Sequence, residues 1–191
     1  MSAAKEAADQ RQYLTFFLAG EEYAISILRV KEIIAYGTLT KVPTMPPFIR
    51  GVINLRGSVV PVVDLAVRFG MPESPVTKWT CIVIAEIDLE GEQTVMGVMA
   101  DAVNQVLDLS PDDIEAPPAF GTQVRIDYLL GMGKVGKKFA LILDIDRVLS
   151  PEELLAVDST RTAEQAGDPP DAAELFRLED GPAPIEEVRA T

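Results

Sequence analysis

Residues 51–65, GVINLRGSVVPVVDL, form an apolar run interrupted near its middle by Arg56, which stands beside Gly57. A guanidinium is always charged, so a stretch this oily holds one only where the head reaches water, a carboxylate or a partner. Gly51 and Gly57 bracket VINLR and SVVPVVDL follows at once, which predicts two adjacent strands turning at Arg56-Gly57. Pro61 lacks a backbone donor and predicts an edge strand or a bulge.

Working outward, YLTFFLA and YAIS flank the polar turn GEE and read as a hairpin. ILRVKEIIA carries Ile27, Val30, Ile33 and Ile34 at helix-like intervals and is compatible with a short helix or a bent strand. The prolines of KVPTMPPF make a loop. LAVRFG reads as a turn or two of helix ending at a glycine, and MPESPVTK as a connector that places a subdomain boundary near 71–78. Beyond it, WTCIVIAEI and QTVMGVMADAVNQVLDL are strands about the turn DLEGE, SPDDIEAPPAFGTQ breaks the pattern, and IDYLLGMGKVGKKFALILDIDRVL supplies two more strands about a glycine-rich turn. Ser150 and Pro151 predict the cap and first position of a helix over SPEELLAVDS. No repeat with a period of about 20 to 50 residues is visible, though both halves are β-meanders closing on something helical.

The chain has 191 residues, enough for one ordinary domain or two small subdomains. A net charge of −13 repels phosphate backbones and anionic lipid and makes nucleic acid an unsuitable partner. No signal peptide or membrane span is expected. The single cysteine, Cys81, lies in an apolar run and is expected to be buried and reduced. Histidine is absent, which removes histidine acid–base chemistry, Ser/His/Asp and Cys/His nucleophile systems and histidine-ligated metals.

Each motif with a chemical reading also has a plainer one. GMGKVGK spells a phosphate-cradling pattern, but a β-run follows it, so its glycines fit a hairpin better. Asp144 and Asp146 would share a face if a strand ran through both, yet an end-of-strand acid and a helix cap explain them. Asp112 and Asp113 read as a turn or cap. Ser58 has neither the nucleophile elbow nor an activating base. No catalytic residue, metal ligand or cofactor is expected, and what remains is the anatomy of an interaction face with Arg56 as its anchor. The plain alternative for Arg56 is solvent or a local carboxylate such as Glu32.

FIRGVINLRGSVVPVVDL, preceded by EEYAISILRVKEI and a proline loop, resembles the CheW family of chemotaxis coupling proteins. MGVMADAVNQVLDLS and FGTQVRIDYLLGMGKVGKKFALILDIDRVLS extend the resemblance from about Tyr13 to Asp158. It implies a mainly β protein: two five-stranded, SH3-like β-barrel subdomains packed side by side, with short helices and a C-terminal helix. The organisation expected is a flexible segment 1–12, a CheW-like domain 13–157 and, from its Ala-, Pro- and acid-rich composition, an acidic, disordered tail 158–191, in which AAELFRLED reads as a docking peptide or, more plainly, as part of a solvated tail. The resemblance further implies a non-enzymatic cytoplasmic adaptor joining methyl-accepting chemoreceptors to the regulatory domain of the histidine kinase CheA. Arg56 and Glu32 match a salt-bridged pair at the receptor-facing side, Val30 and Ile33 match apolar positions near the receptor groove, and Gly51, Val59 and Val60 match the region of kinase contact. Competing readings are a fragment of CheA itself, disfavoured by the missing histidine and ATP-binding segment, a CheV-like protein, too short for its receiver domain, and a nucleic-acid-binding small barrel. The tail is longer and more acidic than the family pattern.

Overall fold

The structure, a computed structural model, describes residues 11–119, 121 and 124–150. The expected tail, its docking segment and the helix beginning at Pro151 lie outside the described residues. Eleven strands form two sheets with short helical turns between them. The strands are β1 (Arg11–Leu18), β2 (Glu21–Ser26), β3 (Val30–Ala35), β4 (Ile49–Leu55), β5 (Ser58–Asp64), β6 (Cys81–Leu89), β7 (Glu92–Ala100), β8 (Ala102–Leu109), β9 (Ile114–Glu115), β10 (Leu129–Val135) and β11 (Lys138–Leu143). Two one-turn helices, α1 (Leu65–Arg68) and α2 (Ile145–Val148), follow β5 and β11. β1 starts at Arg11, two residues inside the segment expected to be flexible, because Arg11 and Gln12 pair with Leu109 and Asp108.

The sheet orders are β8-β1-β2-β11-β10-β9 and β3-β6-β7-β5-β4. The expectation of five strands each is met in the second; the two-residue β9 makes a sixth in the first. Each sheet draws strands from both sides of 71–78, so the expected sequential boundary there does not exist. The chain lays down the β1–β2 hairpin in the first sheet and crosses to build β3 to β7 of the second. It then returns for β8 to β11.

This exchange conceals an internal repeat. The same interval separates Phe48 from Tyr128, Gly51 from Gly131 and Asp64 from Asp144, and each pair does the same job. The amide of Asp64 donates to the Phe48 carbonyl and that of Asp144 to the Tyr128 carbonyl, both at 2.8 Å. The Asp64 carboxylate caps α1 by accepting from the Val67 amide at 3.2 Å, and Asp144 caps α2 from Arg147 at 3.3 Å. The ladder between β4 and β5 shifts register between Ile49 and Gly51, and that between β10 and β11 between Leu129 and Gly131. The repeat spans more residues than the short periods of solenoids and keeps few identities.

The bulged glycines allow closure. A Cβ on Gly51 would lie 2.5 Å from the Thr40 carbonyl oxygen, and one on Gly131 would lie 2.8 Å from that of Glu115. Thr40 and Val52 exchange both backbone hydrogen bonds at 2.9 Å, so the segment after β3 folds back onto β4 at the far edge of the sheet. β9 does the same to β10 through Glu115 and Met132. The glycines of GMGKVGK therefore divide their work: only Gly136 takes a positive φ at the hairpin turn, while Gly131 and Gly133 make room for close neighbours. No helix follows this motif, as its hairpin reading requires.

ILRVKEIIA resolves into a 3-10 turn, Ile27–Arg29, and the strand β3, whose burial alternates along its length. Pro61 sits on an interior strand, not an edge. β7 pairs β5 only over Val62, Val63 and Asp64, so residues 58–61 have β4 alone as partner and a missing N–H is tolerated there. The main core lies between the sheets, where Leu14, Phe16, Tyr23 and Ile25 meet Val63, Leu65, Val83, Ile87 and Val98. Burying each large side chain contributes roughly 1.5–3 kcal/mol. Smaller clusters fill each subdomain, around Ile142 and Leu109 in the first and Val62, Ile82 and Ile84 in the second. Cys81 is buried as expected, and burial pushes its thiol pKa up.

Gly51→Ala forces a methyl against a backbone carbonyl and is expected to cost about 2–3 kcal/mol by urea unfolding. Gly57→Ala, with open space around it but a φ of +90°, costs about 1–2 kcal/mol. A Gly51 variant no less stable than the Gly57 variant contradicts this account of closure.

Candidate functional site

The β4–β5 hairpin turns on Arg56 (φ 52°) and Gly57 (φ 90°), and the Gly57 amide donates to Asn54 Oδ1 at 2.8 Å. Ala19-Gly20 and Glu90-Gly91 make the same left-handed turn, so the backbone of Arg56 is ordinary for this chain. Its side chain is what stands out. It is 79% exposed and donates from Nη2 to Glu32 Oε2 at 3.0 Å.

Glu32 lies on β3 and Arg56 follows β4, the two opposite edges of the second sheet. The ion pair therefore closes across the seam that the Thr40–Val52 bridge closes in backbone. An exposed pair of this kind contributes under about 1 kcal/mol, so it orients the guanidinium more than it holds the barrel.

Of the expected receptor-side residues, Ile33 is 45% exposed, and Val30 is half-buried against the main core. Lys31 and Ile33 are exposed while Glu32 and Ile34 are half-buried, so an apolar residue and charges alternate beside the Arg56 clasp. Lys31 adds an ion pair with Glu86. Of the three expected kinase-side residues, only Val59 presents a side chain, at 73% exposure. Gly51 is buried beneath Thr40 and Val60 packs with Val62, Ile82 and Ile84, so both shape the strand and neither offers a contact surface.

Leu28 and Trp79 are the most exposed of the apolar groups that the sequence left unremarked. Leu28 is 88% exposed in the turn before β3, although Ile27 and Val30 around it are half-buried. Trp79 was assigned to a strand, but β6 starts at Cys81 and the indole is 66% exposed, with the Lys78 ammonium 4.9 Å above its ring. The polar neighbours Thr77, Lys78 and Thr80 were the available signal for a turn.

The acids resolve as structural groups. Asp144 caps α2, and Asp146 bonds Arg29 and the Asp88 amide, tying the first subdomain to the second. Ser110 and Asp113 close a turn on each other, which lowers the Asp113 pKa. Among the described residues no three His, Cys, Asp or Glu are grouped to hold a metal ion.

Asp64 is the buried exception. Arg50 lies between it, at 4.0 Å, and Glu73, to which Arg50 donates. Burial raises the Asp64 pKa above its ordinary 3.8, against the opposing pull of the Val67 amide and Arg50. The native state then binds more protons than the unfolded chain from about pH 3.8 upward, so the stability Asp64 contributes is full below that pH and lost as pH rises through the folded value. Asp64→Asn retains a capping oxygen and removes this loss. Urea midpoints measured from pH 3.5 to 7 are expected to shift in the variant's favour as pH rises; a relative shift the other way contradicts the assignment.

A family model described as CheW-like domain matches residues 12–153. The chemotaxis protein CheW of Klebsiella aerogenes is 37% identical over 149 residues, 78% of this chain and 87% of that protein. That of Bacillus subtilis is 37% identical over 143 residues, 73% of this chain and 86% of its own length. The crystal structure of the scaffolding protein TtCheW from Thermoanaerobacter tengcongensis superposes with a TM-score of 0.66 at 34% identity, covering 73% of this chain and 87% of that one.

Proposed function

The chain belongs to the CheW-like domain family, and from that premise we propose that it is a non-enzymatic adaptor of chemotaxis signalling. It joins the cytoplasmic tips of methyl-accepting chemoreceptors to the regulatory domain of the histidine kinase CheA and works in the cytoplasm. No helix among the described residues is long and apolar enough to cross a membrane. The observation that carries the reading is the Arg56–Glu32 pair: an exposed guanidinium held in one orientation beside an apolar side chain. That arrangement suits recognition of a helical hairpin, whose apolar stripe packs while its acids meet the arginine.

Val30, Glu32, Ile33 and Arg56 form the receptor face in this reading. Val59 carries the kinase contact, with Gly51 and Val60 fixing the strand beneath it. Assembly into an array requires at least two separate contact faces on each unit, and exposed Val106, Leu130 and Phe139 give the first subdomain apolar residues for a further one.

Arg56→Ala is expected to change stability by less than about 1 kcal/mol. It should weaken retention of a receptor cytoplasmic fragment about tenfold, a typical effect for an anchoring arginine, and leave retention of the kinase regulatory domain unchanged. Equal receptor binding by variant and parent counts against the receptor face. Failure of the parent chain to retain either partner removes the adaptor reading.

A further inference from the structure

One of the differences between the two halves of the repeat lies where the subdomains meet. Phe48 and Tyr128 occupy equivalent positions, each giving its carbonyl to the capping aspartate of its own subdomain. Arg68 and Val148 are likewise equivalent, each the last residue of its short helix. Phe48 has Tyr128 as its counterpart and Val148 has Arg68, so each half carries one polar member, and the two polar members meet across the subdomains.

Arg68 Nη2 donates to the Tyr128 hydroxyl at 3.0 Å within the core. Its guanidinium lies 5.2 Å from the Phe48 ring centre and 5.5 Å from that of Tyr128, between one ring from each subdomain. Phe69, the next residue, lies 6.1 Å from both Tyr23 and Tyr128. Arg125, three residues before Tyr128 in the same subdomain, donates from Nη1 to the same hydroxyl at 3.2 Å.

We infer that Arg68 and Tyr128 are positioning residues that fix the angle between the two subdomains, and with it the geometry in which the adaptor holds its neighbours. Apolar burial is non-directional, so two greasy surfaces tolerate sliding and rotation. A hydrogen bond has a preferred length and angle and does not. A buried cation is an expensive way to gain stability, and apolar replacements of such groups are often neutral or stabilising. Arg68 stands where the other half of the repeat has valine, and orientation is what the arginine adds. The functional consequence rests on the adaptor reading above; the lock between subdomains does not.

The test writes the repeat's own alternatives into the asymmetric site. The double variant Arg68→Val and Tyr128→Phe is made in a Cys81→Ala background with spin labels at Gln93→Cys, on the second subdomain, and Lys138→Cys, on the first. The distance distribution between labels should broaden, or move, relative to the parent. Retention of the receptor fragment or the kinase regulatory domain alone should stay within about twofold. Receptor-stimulated kinase activity in reconstituted arrays should fall by about fivefold or more. An unchanged distance distribution overturns the lock. Unchanged stimulation, or single-partner binding that falls in parallel with it, overturns the positioning role. Should the double variant not fold, Tyr128→Phe alone removes only the hydroxyl and is read by the same measurements. If the parent chain retains neither partner, the adaptor reading fails, while the label distances still decide whether the lock exists.

Discussion

A side chain at position 51 would collide with the carbonyl of Thr40, and the rest of the second subdomain depends on that space being empty. Because it is empty, the segment after β3 reaches the far edge of the sheet and exchanges two hydrogen bonds with Val52. Closure brings the β4–β5 turn over β3, and only then can Arg56 meet Glu32. The exposed ion pair is thus a consequence of a backbone approach several residues away. Its orientation is inherited from a closed sheet, which is why a weak surface interaction can serve as a geometric marker. Gly131 beneath Glu115 repeats the constraint in the first subdomain.

Strand exchange makes two barrels into one body. Each subdomain contains the hairpin of one repeat and the closing strands of the other, so neither has a complete hydrophobic face of its own. The largest core cluster lies between them and takes residues from both sheets. The exchange also explains why helix-capping aspartates, bulged glycines and carbonyl acceptors recur in register while surface residues do not. Backbone geometry constrains the first set in both halves; each half's neighbours constrain the second.

Legibility in the sequence followed the range of the interaction involved. The Arg56-Gly57 turn, the Glu90-Gly91 turn and the strands around them are local, and their residues announce them. The caps at Asp144 and Asp113 are equally local. What was not legible was long-range: the assignment of β8 to the first sheet, the interior place of β5 despite Pro61, and the purpose of Gly51. The connector 71–78 looked like a boundary because its composition is that of a linker, yet composition does not say which sheet the next strand joins. Among candidate site residues, exposure was the quantity that sequence could not supply. Val59 and Val60 are neighbours of the same type, one outside and one in the core, and strand parity separates them only once the pairing is known. Leu28 was missed because its apolar neighbours made it read as buried, and Trp79 because the apolar run CIVIAE after it drew the strand assignment over its polar neighbours.

The account's central claim is that one folded body holds two different partners at once on separate faces. Sedimentation velocity of the purified chain mixed with a receptor cytoplasmic fragment and the kinase regulatory domain tests it most directly. The account predicts a single boundary containing all three components, with neither partner displacing the other as its concentration is raised. Competition between the partners for the chain, with only two-component boundaries at saturation, would contradict it.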